Sequence, residues 1–229
     1  VTAEHDPAVP PRVLVVAKAP VAGRVKTRLG ADIGDDAAAE VAAACLLDTI
    51  EAATAAVGAE RCHLSLAGDL AGAVRGDEIL AATAGWRTTP QVGDGFDERL
   101  AHAHAAVAAS GPGAVVQVGM DTPQVSPAHL LEAAAPLATH DAVLGPADDG
   151  GWWVLALRDP ADAAVLAGVA MSTPTTYDDT RAALLGAGLS VAGTATLNDV
   201  DTVADAEAVL AAVAPGSRFG DAWRGRVPS

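Results

Sequence analysis

The periodic part of the chain opens at residues 13–17, a continuous run of Val, Leu and Ala that reads as a strand buried on both faces. A loop at 18–34 follows. Beyond it Val41, Cys45, Leu46, Thr49, Ile50 and Ala53 recur at helical spacing. Asp35 and Asp36 stand at the end where the helix dipole favours acids, and Gly58 marks the stop. The alternation then repeats. It predicts strand 62–67, a short helix 77–83, and helix 96–109 with Phe96, Leu100, Ala103 and Val107 on its inner face. Next come strand 114–118, helix 126–139, strands 141–144 and 152–157, helix 174–187, strand 189–192 and helix 202–213. From 215 onward the chain is polar and glycine-bearing.

Strands separated by helices imply right-handed βαβ units, hence an α/β sandwich with a mostly parallel sheet and helices on both faces. The short loop 145–151 between two strand patterns allows one strand to run antiparallel. No repeat or linker breaks the pattern. The expected organisation is a flexible N-terminal arm at 1–12, one domain at 13–214 and a C-terminal tail at 215–229.

Composition narrows the function classes. Of 229 residues 51% are hydrophobic and 19% charged, which excludes a disordered chain. The formal charge of −15 argues against nucleic acid or anionic lipid as a partner. Cys45 and Cys62 lie in apolar contexts without a CxxC or neighbouring histidines, which argues against a disulfide framework or structural zinc. No apolar run approaches the roughly 18 residues of a membrane span, and residues 1–12 lack the grammar of a signal peptide. A cytoplasmic location is expected.

Against that acidic background the cations are unevenly placed. Both lysines of the chain, Lys18 and Lys26, sit in one short loop with Arg24 and Arg28, directly after the first strand, where open α/β sheets place ligands. Gly23 permits close backbone approach, and the four cations suit a diphosphate or triphosphate. A solvated basic loop is the alternative. The GxxxxGK[ST] spacing of a Walker loop is absent.

Asp121 follows the strand 114–118 on the same edge, and Asp199 and Asp201 share a face if their segment is extended. Three carboxylates brought together require a compensating cation, and an all-oxygen set suggests Mg²⁺ or Mn²⁺. Helix capping by Asp121 and Asp201 is the competing reading. Asp149, Gly150 and Gly151 form either a tight turn or a place where backbone approaches a ligand. Trp152 and Trp153 point to opposite faces, so one at most meets a ligand. The loop at 91–100 suits a nucleobase held by the Gln91 amide; a helix start with Asp94 or Asp97 as an ordinary N-cap is the competing reading. His102 and His104 lie about 200° apart on a helix and make no metal pair.

The segments AKAPVAGRVKTRL (17–29), GMDTP (119–123), GPADDGGWW (145–153) and NDVDT (198–202) together resemble a bacterial glycosyltransferase-A-like family, labelled radical-SAM/selenodomain-associated transferase, of the nucleotide-diphospho-sugar transferase superfamily. More distantly they are similar to the phospholactate or phosphoenolpyruvate guanylyltransferases. The resemblance spans about residues 13 to 210. It implies a single-domain, Rossmann-like glycosyltransferase-A fold with a nucleotide at the carboxyl edge of the sheet. Carried over by position, it implies that Lys18, Gly23, Arg24, Lys26 and Arg28 meet phosphates, with Lys26 and Asp121 catalytic. Asp121, Asp199 and Asp201 would hold Mg²⁺ or Mn²⁺, Gln91 would read the base, and Asp149, Gly150, Gly151 and Trp152 would line the acceptor pocket. This chain has Trp152 where the family pattern has Tyr, DGFDER at 94–99, and no full Asp-x-Asp at Asp121.

The expected activity is metal-dependent glycosyl transfer from a nucleoside-diphosphate sugar to a small acceptor. The alternative is nucleotidyl transfer from a nucleoside triphosphate to a small phosphorylated acceptor, with release of pyrophosphate. A non-catalytic nucleotide-binding protein is the third reading.

Overall fold

The computed structural model describes residues 10–225; residues 1–9, the bulk of the expected arm, lie outside them, as do 226–229. Seven strands are present among the described residues: β1 (Arg12–Lys18), β2 (Cys62–Ala67), β3 (Arg87–Pro90), β4 (Val115–Gly119), β5 (Ala142–Pro146), β6 (Trp152–Leu157) and β7 (Val191–Gly193). Eight α-helices connect them: α1 (Thr27–Ile33), α2 (Asp35–Val57), α3 (Gly76–Ala82), α4 (Phe96–Ala109), α5 (Pro127–Ala134), α6 (Thr176–Gly186), α7 (Val203–Leu210) and α8 (Arg218–Gly225). One sheet results, in the order β3-β2-β1-β4-β6-β5-β7.

Every pairing is parallel except those of β6, which runs antiparallel to both β4 and β5. This is the single-domain, mostly parallel α/β fold that the alternation of elements predicts. The reversed strand has a positional consequence. β1, β4 and β5 end at one edge of the sheet, and β6 begins there, so Trp152 shares that edge with Lys18 and Gly119.

Three clusters of buried side chains hold the layers. On one face Val13, Val15, Val116 and Val118 pack beneath Ala39, Ala43, Leu46 and Ile50 of α2. On the other, Leu14, Val16, Val115 and Leu155 meet Leu100, Ala103 and Val107 of α4. A third cluster lies on the far side of α2, where Val41 and Cys45 meet Leu29, Val200, Ala206, Phe219 and Trp223.

Several elements depart from the sequence expectation. The loop 18–34 contains α1, which starts after Lys26 in a left-handed conformation (φ 47°). β3 is an edge strand with mostly exposed side chains, so it lacks a buried-strand pattern. Helix 126–139 closes into a 3-10 turn at Ala135–Ala138, around Pro136. The tail contains α8, whose Phe219 and Trp223 cover the outer face of α2. Arg218 at its start pairs with Asp48 and Glu51, and Asp48 accepts the Phe219 backbone N–H at 2.9 Å. Arg12, expected in the arm, begins β1. No helix of the described residues is long and apolar enough to cross a membrane, and both cysteines are free thiols.

Candidate active site

The edge where β1 and β4 end and β6 begins opens into a cavity of about 470 Å³. Its lining brings together Lys18, Arg24, Lys26, Asp121, Asp199 and Asp201. These residues come from the loop after β1, the loop after β4 and the segment leading into α7.

Lys26 is the centre of this arrangement. Its Nζ lies 2.7 Å from Asp121 Oδ2 and 2.7 Å from Asp201 Oδ1, and its side chain is only 6% exposed. Burial alone would depress the ammonium pKa, but the two carboxylates outweigh it and hold the pKa above the usual lysine range. Arg28, 74% exposed, donates to the other oxygen of Asp201 at 2.7 Å. Burial of Asp201 would raise its pKa, and the two cations instead hold it below the ordinary carboxylate value.

Asp199 is treated differently. Its carboxylate has no hydrogen bond or ion pair among the described residues. Burial, together with Asp121 and Asp201, pushes its pKa up to about 7. One oxygen from each of Asp121, Asp199 and Asp201 lies within 4.8 Å of the others. Three carboxylates thus face two cations, and the uncompensated one sits among the other two. An all-oxygen set with one unmet negative charge fits a divalent ion of the Mg²⁺ or Mn²⁺ type.

The neighbouring loops fix these groups from below. Val200 N donates to Asp121 O at 2.9 Å, and Gln124 Nε2 donates to Asn198 O at 2.6 Å. Asp201 does not cap α7: that role falls to Thr202, in a capping box with Asp205. Leu29, just after Lys26, and Val200, between the two aspartates, both belong to the third cluster.

The remaining sequence candidates divide. Lys18 and Arg24 line the cavity and are exposed. Gly23 (φ 73°) and Arg28 are not part of the lining. Gly23 shapes the turn before Arg24, whose N donates to Val21 O at 2.9 Å. Gln91 lines the cavity, but its amide nitrogen donates to Ala17 O (3.0 Å) and Ser65 O (3.1 Å), which ties β3 to the central strands. Its Oε1 is buried without a partner among the described residues.

On the acceptor side, Gly151 and Trp152 line the cavity. Asp149 lies in a smaller adjoining pocket with Asp121 and Asp199, and its Oδ1 accepts the Gly151 N–H at 2.8 Å. Gly150 has a packing role: at φ 88° a Cβ there would overlap the Pro174 carbonyl. Trp153 is buried, with Nε1 donating to Ala195 O at 2.8 Å.

The cavity also holds residues that the sequence reading did not select: Phe96, Arg99, Gln117, Met171, Ser172 and Thr176. Phe96, expected on the inner face of its helix, is 44% exposed at the cavity. One signal was present. Gln117 is the only polar residue between Ala114 and Val118, in an otherwise apolar run.

The comparisons with known proteins agree with this architecture. A protein from Desulfovibrio desulfuricans G20, designated by inference a nucleotide-diphospho-sugar transferase, is 27% identical, with 93% of each chain covered and a TM-score of 0.80. The 4-diphosphocytidyl-2C-methyl-D-erythritol synthase of Anaerococcus prevotii DSM 20548 has the same fold at 13% identity, 88% and 96% coverage and a TM-score of 0.54. Rv0371c of Mycobacterium tuberculosis H37Rv, solved as a complex with manganese, has it at 20% identity, 88% and 100% coverage and a TM-score of 0.50. No curated protein matches the sequence. Residues 49–173 match the family model DUF2064, described as an uncharacterized protein conserved in bacteria, and the chain belongs to that family.

Proposed function

We propose that the cavity takes a nucleotide-activated donor and a divalent cation, and that the protein transfers a glycosyl group from a nucleoside-diphosphate sugar to a small acceptor. The observation that carries this reading is the meeting of Lys18, Arg24 and Lys26 with Asp121, Asp199 and Asp201 in one cavity at the carboxyl edge. Likeness to the Desulfovibrio protein over nearly the whole chain supports a nucleotide-sugar donor.

In this reading Lys18 and Arg24, exposed and without carboxylate partners among the described residues, bind the diphosphate oxygens. Lys26, held by two aspartates, keeps a fixed positive charge beside the departing group. Asp121, Asp199 and Asp201 hold Mg²⁺ or Mn²⁺, which supplies further neutralisation of the diphosphate when bound. An acceptor hydroxyl attacks the anomeric carbon and forms the new C–O bond as the bond to the phosphate oxygen breaks. The electron pair leaves with the nucleoside diphosphate, and the hydroxyl proton passes to solvent or a nearby base. Gly151 and Trp152 border the acceptor's side of the cavity.

One observation favours a second reading. Of the four cations that line the cavity, Lys18, Arg24 and Lys26 come from one loop, enough for a triphosphate, and an acceptor attacking the α-phosphate would then release pyrophosphate.

The test is a melting screen of nucleoside triphosphates and nucleotide sugars with Mg²⁺ or Mn²⁺, followed by product analysis with a panel of acceptors. Release of a nucleoside diphosphate is the expected result. Pyrophosphate instead would establish nucleotidyl transfer. Binding that EDTA abolishes, without product, would mark a non-catalytic nucleotide-binding protein, and a flat response to every nucleotide would overturn all three readings.

A further inference from the structure

The cavity crosses the edge of the sheet, and its two sides differ in chemistry. On the α2 face stand Val25, Lys26 and Ala42, next to the aspartates. On the α4 face stand Val16, Phe96, Arg99, Gln117, Trp152 and Met171, without a carboxylate among the lining residues on that side.

Arg99 is half-buried, and among the described residues its hydrogen-bond partners are backbone carbonyls alone: Nε donates to Gly93 O at 3.0 Å and one terminal nitrogen to Asp94 O at 3.3 Å. No ion pair neutralises it among the described residues. In a chain of formal charge −15 that is a conspicuous arrangement, because carboxylates are plentiful and none is paired with it.

Gln117 projects from the middle of β4 and is only 3% exposed. His104 of α4, fully buried, lies with Nε2 3.2 Å from Gln117 Oε1. Burial depresses the imidazole pKa to about 4, so the ring is neutral near pH 7 and donates from Nε2. Its Nδ1 is left buried without a partner, a cost that the core bears. What the pair achieves is to fix the Gln117 amide. Its oxygen is engaged by His104, and its nitrogen, unpartnered among the described residues, is left for the cavity that Gln117 lines.

We propose that Arg99 and Gln117 form a subsite for an oxyanion of the acceptor, a carboxylate or a phosphate, with His104 as the residue that positions Gln117. The subsite rests on the transferase reading only for the word acceptor; the anion binding stands on its own residues. Two hydrogen-bond donors of which one is charged, framed by Phe96, Trp152 and Met171, select an anionic group carried on a small apolar skeleton. The nucleophilic hydroxyl would then belong to an acidic molecule, anchored across the cavity from Lys26 and the three aspartates.

Titration calorimetry at constant ionic strength tests this with two probes, inorganic phosphate and malonate, on four proteins. These are the wild type, Arg99→Met, Gln117→Leu and the double variant Lys18→Met/Arg24→Met. The expected result is that wild type and the double variant bind one probe alike, while Arg99→Met and Gln117→Leu bind it about tenfold more weakly or worse. Stronger binding of malonate indicates a carboxylate acceptor; stronger binding of phosphate, a phosphorylated one. Arg99 is partly exposed, so its variant carries the test if Gln117→Leu fails to fold. Binding lost in Lys18→Met/Arg24→Met but retained in Arg99→Met would place the anion in the donor's phosphate seat and overturn the subsite. So would the absence of binding to wild type. A subsite that binds anions in a protein deaf to every nucleotide would leave this inference standing and remove the transferase reading.

Discussion

Two cations of the cavity, Lys26 and Arg99, are held in opposite ways. On the α2 side Lys26 is buried between Asp121 and Asp201, so its charge is matched by the protein itself. On the α4 side Arg99 hydrogen-bonds only to carbonyls among the described residues, and no carboxylate among them matches its charge. A matched buried cation organises other groups; an unmatched one awaits a partner from outside. The supports differ as well. The Lys26 side rests on the third cluster, through Leu29 and Val200, whereas the Arg99 side rests on α4 and the sheet.

The largest expected effect breaks the first support. Phe219 is fully buried over α2, and Phe219→Ala should destabilise the protein by about 3–5 kcal/mol in urea unfolding. Because the cluster it leaves also holds Leu29 and Val200, the variant should lose its response to metal and nucleotide before its response to malonate or phosphate. Equal loss of both would show that the two sides are not separately supported.

A smaller effect probes the matched charge. Removing one partner of a buried ion pair strands the others, but here the aspartates keep 31% and 25% exposure, which tempers the penalty. Lys26→Met should therefore cost roughly 1–3 kcal/mol without metal, and added Mg²⁺ should recover part of it. Arg28→Ala, at a side chain 74% exposed, should change stability by less than about 1 kcal/mol. The comparison fails if Arg28→Ala equals Lys26→Met in urea melts run with and without Mg²⁺.

The smallest effect belongs to the α4 side. The folded-state pKa of His104, about 4, lies below its ordinary value of 6.5, so the unfolded chain takes up the proton first. Its contribution is fully present above pH 6.5 and is lost as the pH falls from there towards about 4. Between pH 7 and 6 the loss from His104 should be under about 1 kcal/mol; His104→Phe should remove that share and leave the similar one of His63, whose pKa burial also depresses to about 4. Nitrogen NMR of the His104 ring should show the neutral form with its proton on Nε2 throughout that interval.

Legibility in the sequence followed burial. Strands β1, β2, β4 and β6 sit inside the sheet, so their apolar runs were plain, and the cations and aspartates stood out against an alanine-rich background. β3 was hidden because an exposed edge strand needs no apolar run. α8 was hidden because its two aromatic anchors are separated by Gly, Asp and Ala; the outward Val41 and Cys45 of α2 were the trace that something must cover them. Arg99 escaped notice because a lone arginine on a helix looks like a solvated one until the cavity is seen. Gly150 and Gln91 were visible as site positions, yet much of what they do is structural, since packing against Pro174 and pairing with β1 and β2 depend on distant chain segments.

The reversal of a single strand also bears on how such a protein can diversify. Because β6 starts where β1 and β4 finish, the far border of the cavity is hung on the turn at 146–151 and the stretch around 171–176, while the cationic border hangs on residues 18–26. Exchanging the former segments between relatives would retune what is accepted and leave the carboxylates of Asp121, Asp199 and Asp201 in place.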